Sequence, residues 1–259
     1  METSIYNDIS IAKVICPSIG TKIIVFLYNV DGLLIDTGPA CKEEELEKWF
    51  TAQHITQVAL THSHEDHTGN APWIQQQLKI PIYLQSGAIP SCHEEGVYPN
   101  YRKETFGGRK SFHPKPLPEI IKTDNYIFEV LDTPGHTIYH NCFYEKSQGW
   151  LFTGDLFISA RPFICFYEEN CRQLIDTIER LLKLDFDTVF CAHAGVVENG
   201  KAMLEKKYNY LKKLQERVIK MREVGKTDKE IDAEINKGGF RFTSDTCGEW
   251  STYNIIRTL

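Results

Sequence analysis

Apolar and polar residues alternate along residues 10–16 and 21–30, with many β-branched side chains, and this period of two predicts two strands. The second run meets Asp31-Gly32, a pair suited to a two-residue hairpin turn, and Leu33-Leu34-Ile35 returns as its partner strand, ending at Asp36-Thr37-Gly38. The period then changes. Leu46, Trp49 and Phe50 fall at helical spacing within residues 43–50, behind acids in the first turn. Residues 56–60 form a short apolar strand. Asn70 is placed to cap a helix with Pro72 early in it and Trp73, Ile74 and Leu78 on its apolar face, and residues 80–84 read as strand again. This alternation predicts a layered α/β arrangement.

From 86 to 118 the periodicity fails: five prolines, Gly107-Gly108 and several aromatics interrupt it. A loop this long in a compact domain is usually functional or disordered. Its Tyr98, Tyr101, Phe106 and Phe112 argue for a lid or substrate wall, with His93 and His113 as wall or surface residues. Residues 120–131 read as two strands about a Thr123-Asp124-Asn125 turn, and 150–152 and 187–191 as further strands. Residues 168–184 form an amphipathic helix with Leu174, Ile175, Ile178, Leu181 and Leu182 inward. Beyond Gly200, Leu204, Tyr208, Leu211, Leu214 and Val218 stripe a long helix over 201–223 whose eight lysines and arginines read as a solvated outer face. Thr227 and Glu230 form a capping-box pattern, and residues 247–259 read as a helix docking on the core.

Composition narrows the possibilities. A chain of 259 residues, 42% hydrophobic, can bury one large core or two modest ones, and its net charge of −6 argues against general nucleic-acid or anionic-membrane binding. No apolar run approaches the ~20 residues of a membrane span, and the first residues lack a secretory pattern, which predicts a cytoplasmic location. Eight cysteines without C-x-x-C spacing read as reduced, mostly buried thiols, with Cys191 a strand residue facing the core.

Chemistry concentrates at Thr61-His62-Ser63-His64-Glu65-Asp66-His67-Thr68-Gly69-Asn70, which holds three of the nine histidines and an aspartate within six residues. Imidazole and carboxylate are ligands that zinc and its transition-series neighbours prefer. His136 follows a strand within a tight Pro-Gly turn, Asp155 and His193 also follow strands, and side chains at strand ends can converge on one sheet edge.

The pattern T-H-x-H-x-D-H-x-G-N resembles the signature of the metallo-β-lactamase-fold hydrolases, the superfamily that includes glyoxalase II. Asp36-Thr37-Gly38, Thr133-Pro134-Gly135-His136-Thr137, Phe152-Thr153-Gly154-Asp155 and Ala192-His193-Ala194-Gly195 match in order, covering about residues 10–198. The resemblance implies a four-layer αββα sandwich over residues 1–198, with metals at one sheet edge, and a C-terminal helical extension over 199–259 packed on it. It implies that His62, His64 and His136 hold one metal, that Asp66, His67 and His193 hold a second, and that Asp155 bridges them. Asp36 would orient the site from behind, and His140 would neighbour the pocket. The expected cofactors are two divalent ions, zinc first, with iron or manganese as alternatives. A bridging hydroxide would attack the carbonyl of a small-molecule ester, thioester, lactone or amide, with Asp66 also taking or passing a proton. Three alternatives stay open: an RNA-cleaving nuclease, a mononuclear iron sulfur dioxygenase, and a metal-bound module without turnover. The di-iron flavoprotein branch, which has glutamate at the position of His64, is disfavoured.

Overall fold

The computed structural model describes residues 1–18 and 21–259. Its first sheet runs in chain order: β1 (Glu2–Tyr6), β2 (Ile9–Ser18), β3 (Thr21–Val30), β4 (Leu33–Ile35), β5 (Gln57–Ala59), β6 (Ile82–Leu84) and β7 (Lys115–Pro116). β1 to β4 pair in antiparallel succession. Asp31 and Gly32 both take positive φ, 48° and 86°, as the twist-matched two-residue turn requires. β4 to β7 are parallel, and the crossovers carry helices: α1 (Glu43–Ala52), the single turn α2 (Glu65–Thr68), α3 (Ala71–Gln77) and α4 (Asn100–Phe106).

The second sheet holds β8 (Ile120–Lys122), β9 (Ile127–Asp132), β10 (Asn141–Glu145) and β11 (Trp150–Gly154). The chain then leaves it for β12 (Cys165–Phe166) and α5 (Cys171–Leu181), and returns as β13 (Thr188–Cys191), parallel to β11, and β14 (Gly195–Val197). The chain closes with α6 (Gly200–Glu223), α7 (Asp228–Ile235), β15 (Trp250–Ser251), which pairs with β12, and α8 (Tyr253–Thr258).

Side-chain alternation makes four layers of these parts. In β2, Ile9 and Ile11 point between the sheets, where they meet Phe128, Phe143, Phe152 and Phe190. Ala12 and Val14 point outward to Leu46, Trp49 and Phe50 of α1 and Ile74 of α3. On the far side, Leu151 and Val189 meet Leu174 and Ile178 of α5 and Leu204 and Leu211 of α6. Strands apolar on both faces need cover on both, which is the αββα arrangement. Among the described residues no helix is long and apolar enough to cross a membrane.

Several expectations are corrected. β1 is an added strand; its residues are mostly exposed, so no burial pattern marks it. Asn70 stands at the N-cap of α3, but its side chain makes no cap; its Nδ2 donates to Thr37 O at 2.7 Å and Pro39 O at 3.1 Å instead. The 86–118 stretch contains α4 and a run of 3-10 turns, Ser86–Cys92, around the buried Arg109, whose guanidinium donates to backbone carbonyls of Ser91, Cys92, Glu94 and Lys110. Residues 247–259 include a two-residue strand as well as a helix. Lys207, counted with the solvated basic face, is buried, and its Nζ donates to Leu156 O at 2.6 Å and Phe157 O at 2.8 Å. The capping box at Thr227 and Glu230 is present as read.

Candidate metal centre

Four strand ends deliver the histidine and aspartate side chains. β5 leads into His62, His64 and the α2 turn with Asp66 and His67, β9 into His136, β11 into Asp155 and β13 into His193. Two glycines make the approach possible. A Cβ on Gly69 would lie 2.3 Å from Ala40 N, so only glycine lets α2 pack on the turn after β4. Gly154 takes φ 46°, and a Cβ there would come within 2.7 Å of Thr61 Oγ1 and 2.8 Å of His140 Nε2.

The side chains form linked groups. His62, His64 and His136 offer ring nitrogens within 4.8 Å of one another, as do ligand atoms of Asp66, His67 and His193, and those of His62, His67 and Asp155. His64 Nδ1 lies 3.0 Å from His62 Nε2 and 3.2 Å from His136 Nε2. Asp155 stands between the two trios: Oδ2 is 3.5 Å from His136 Nε2 and 3.2 Å from His193 Nε2, and Oδ1 is 3.3 Å from His67 Nε2. Asp66 Oδ2 lies 3.4 Å from His193 Nε2.

Acceptor-only neighbours set the histidine tautomers. His67 Nδ1 donates to Asp36 Oδ2 at 2.8 Å and His193 Nδ1 donates to Ile24 O at 2.7 Å, so each Nε2 keeps its lone pair toward the cluster. Thr61 Oγ1 donates to Asp36 Oδ2 at 2.9 Å and therefore accepts from His62 Nδ1 at 3.0 Å. Asp36 thus orients two rings at once, and Thr61 N anchors its other oxygen at 2.8 Å. His140 is buried behind the cluster, its Nε2 accepting from Asp155 N at 3.3 Å and its Nδ1 2.8 Å from Thr133 Oγ1.

The electrostatics call for positive charge. Burial and the imidazoles of His67, His64 and His136 push His62 well below the usual histidine range, and burial with His136 does the same to His140. Burial also opposes charge on His67 and His193, but carboxylates outweigh it: Asp155, Asp36 and Asp66 hold His67 well above that range, and Asp155 and Asp66 hold His193 there. Against the same burial, His193 and His67 hold the Asp155 carboxyl well below its usual value, and they depress Asp66 likewise. Protons on the rings can meet this demand, and so can divalent cations that leave the rings neutral. The donor set fits cations. Ring nitrogens of three imidazoles converge, His64 Nδ1 lying 3.0 Å and 3.2 Å from its two neighbours, as a shared positive centre requires, and among the described residues buried His67 Nε2 and Asp155 Oδ1 have no hydrogen-bond partner.

The structure brings His62, His64, Asp66, His67, His136, Asp155 and His193 together, with Asp36 and His140 behind them. It leaves His93 and His113 outside, their rings 4.9 Å apart from each other. Cys191 is buried, its Sγ accepting from the backbone N–H groups of His193 and Ala194. Sequence reading missed the residues that meet the cluster from distant segments. Glu168 Oε2 comes to 3.7 Å from His64 Nε2 and Glu169 Oε1 to 3.7 Å from His136 Nδ1. Arg102 of α4 pairs with Glu65 at 2.6 and 2.5 Å and lies over the Phe166 ring at 4.8 Å. Lys207 clamps the two carbonyls directly after Asp155, ahead of Ile158, a β-branched residue at φ 45° and hence strained. The adjacent acids Glu168-Glu169 are the one sequence cue that pointed there.

Comparison with known proteins agrees with this arrangement. The metallo-beta-lactamase superfamily profile matches residues 24–193. A hydroxyacylglutathione hydrolase of Nitrosomonas eutropha is 32% identical over 173 residues, 64% of this chain and 58% of that protein. An atrochrysone carboxyl ACP thioesterase of Aspergillus fumigatus is 24% identical over 211 residues, 77% of this chain and 59% of that protein. The chain thus spans under two thirds of the length of these curated relatives. Among solved structures, a metallo-beta-lactamase family protein from Thermus thermophilus aligns with TM-score 0.69 at 17% identity, over 98% of this chain and 91% of that one. A metallo-beta-lactamase from Pontibacter korlensis aligns with TM-score 0.63 at 19% identity, over 82% and 98%. With two facing mixed sheets, helices outside, histidines and aspartates gathered at the strand ends, and two thirds of its length matched by the family profile, the chain belongs to the metallo-β-lactamase superfamily.

Proposed function

We propose that the chain is a metal-dependent hydrolase of small-molecule acyl compounds, thioesters first, with esters, lactones and amides within the same chemistry. In this reading His62, His64 and His136 hold one divalent ion, Asp66, His67 and His193 a second, and Asp155 is shared. The observation that carries it is the place of Asp155, whose oxygens lie 3.2–3.5 Å from rings of both trios. A nitrogen-rich donor set with carboxylates suits zinc. Two such ions, when bound, supply hydroxide from water near neutral pH and polarise the carbonyl under attack.

The chain's own residues do the rest. Asp36, through His67 directly and through Thr61 to His62, keeps lone pairs aimed into the cluster. Asp66, its Oδ2 3.4 Å from His193 Nε2, would chiefly hold the ion and is placed to take a proton from water and return it to the leaving group. Phe166 and the Arg102–Glu65 pair wall off one side from solvent. The names of the two curated relatives, a hydroxyacylglutathione hydrolase and an ACP thioesterase, favour a thioester carbonyl.

The test is elemental analysis of zinc-loaded protein joined to a panel of thioesters, lactones and β-lactams. Two ions per chain and thioester turnover are expected. Asp155→Ala is expected to retain less than one ion and to lose at least ~100-fold in kcat/KM. Full metal content and activity in that variant would remove the shared-carboxylate reading.

A further inference from the structure

Large apolar side chains left in solvent singly need no explanation, whereas a group of them beside a reactive centre does. Ile138 and Tyr139 follow His136 by two and three residues and are 67% and 39% exposed. Phe163 and Tyr167 flank Phe166 and are 61% and 50% exposed. The two segments touch: Asn170 N donates to Gly135 O at 2.7 Å, and Glu169 approaches His136. Phe166 joins the surface group to the metal centre, its ring 5.5 Å from that of His64, 5.4 Å from Tyr167 and 5.2 Å from Trp250. Phe163 continues the aromatic run, 6.2 Å from Phe240 of the C-terminal segment. On the other flank Tyr139 lies over Gly87, where a Cβ would come within 2.3 Å of its ring.

The charge nearest His64 is acidic. Glu168, 41% exposed, presents a carboxylate next to His64. The nearby guanidinium of Arg102 is committed to Glu65, with Glu249 at 3.9 Å on its other side. A glutathione conjugate carries two carboxylates that need cationic partners; Glu168 repels them and Arg102 is already paired, which leaves Arg161, exposed on the Phe163 segment, and Arg257, which donates to Tyr167 O.

We infer that this site takes thioesters whose acyl arm is an apolar chain or aryl group laid over Ile138, Tyr139, Phe163 and Tyr167, and that it discriminates against glutathione conjugates. The inference rests on the hydrolase reading for its reaction and on the rim for its specificity. A buried methylene is worth about fourfold in affinity, so selectivity accumulates quickly along a chain.

The experiment uses zinc-loaded full-length protein and N-acetylcysteamine thioesters of acetate, butyrate, hexanoate, octanoate and phenylacetate, with S-lactoylglutathione as comparator. kcat/KM is expected to rise up to about fourfold per methylene until the surface is covered, and to be lowest for the glutathione conjugate. Binding of the matching free carboxylic acids is measured by calorimetry in parallel, a readout that needs no turnover. Phe163→Ser with Tyr167→Ser is expected to flatten both series while zinc content stays at two, and Arg161→Gln, an exposed cation on the same segment, is expected to leave the ranking intact. Chain-length-dependent binding without hydrolysis of any thioester sustains the inference about the rim and sinks the hydrolase reading. A flat binding series, preference for the glutathione conjugate, or loss of selectivity in Arg161→Gln alone overturns the inference.

Discussion

A single carboxylate behind the cluster, Asp36, does more than its distance from any substrate suggests. Its backbone is held at φ 59°, which aims the side chain at Thr61 and His67 together. Asp36→Asn keeps the shape but weakens the charged acceptor for His67 Nδ1. Zinc affinity, read by chelator competition, should fall about 10–100-fold with the fold intact. Cys142 gives a pH prediction at the same scale. Burial pushes its thiol up to about 12 from an ordinary value near 9.0. Below pH 9 the thiol is neutral in both folded and unfolded chains and contributes no pH dependence. Between about 9 and 12 the unfolded chain releases this proton and the folded chain does not, so stability falls as pH rises, by up to about 4 kcal/mol. Thermal melts across this window should therefore show a steeper loss for the native protein than for Cys142→Ala. Equal slopes would show that the thiol ionises as readily inside as outside.

Among the elements, α4 has most to explain, because it arises in a stretch without hydrophobic period. What holds it is polar. Arg102 is clamped between Glu65 of α2 and Glu249, and Tyr101 donates to the same Glu249 at 2.5 Å. Glu65 is only 3% exposed, so Arg102→Met strands a buried carboxylate and should cost about 3–5 kcal/mol. Adding Glu65→Gln should recover much of that loss in a denaturant titration. Additive losses in the double variant would mean that the pair is not coupled and that α4 is held in another way. The segment is therefore braced, tied to the turn that carries Asp66, and its central loop is pinned by Arg109.

For the molecule as a whole, the C-terminal 60 residues are stitched to the layers that carry the histidine and aspartate cluster. Leu204, Leu211, Val218, Ile255, Ile256 and Leu259 belong to the same apolar cluster as Leu151 and Val189 of the second sheet, and β15 pairs with β12 beside Phe166. Ending the chain at residue 199 would expose that cluster, and the truncated protein should aggregate or melt without a cooperative transition in calorimetry. Lys207 links α6 to the Asp155 turn more selectively. Lys207→Met fills similar volume but leaves Leu156 O and Phe157 O without a donor, a loss of about 1–3 kcal/mol for each buried group left unpaired. It should lower zinc affinity along with thermal stability. A variant that melts early yet binds zinc with native affinity would show that the turn after Asp155 keeps its shape unaided.

Local pattern was enough to determine the strands and helices whose burial repeats with their own period. β2 and β3 alternate between two apolar faces, α5 carries its stripe, and the hairpin turn needs only Asp31 and Gly32. The ligand-type residues were legible for a similar reason. His62, His64, Asp66 and His67 are neighbours in sequence, and His136, Asp155 and His193 each follow an apolar strand, so their chemistry and their place at strand ends are local properties. Tertiary structure alone decided the contacts whose partners lie far apart. Helical spacing sets Lys207, three residues after Leu204 and four before Leu211, on the covered face and Lys206 off it, but the pair of carbonyls that meets it some 50 residues upstream is not in that pattern. Arg102 and Asn70 look like a loop cation and a helix cap until Glu65, Thr37 and Pro39 arrive to receive them. Period reports which face of an element is covered. The partner of a buried polar group is set by where the rest of the chain goes, and that information appears only when the layers close.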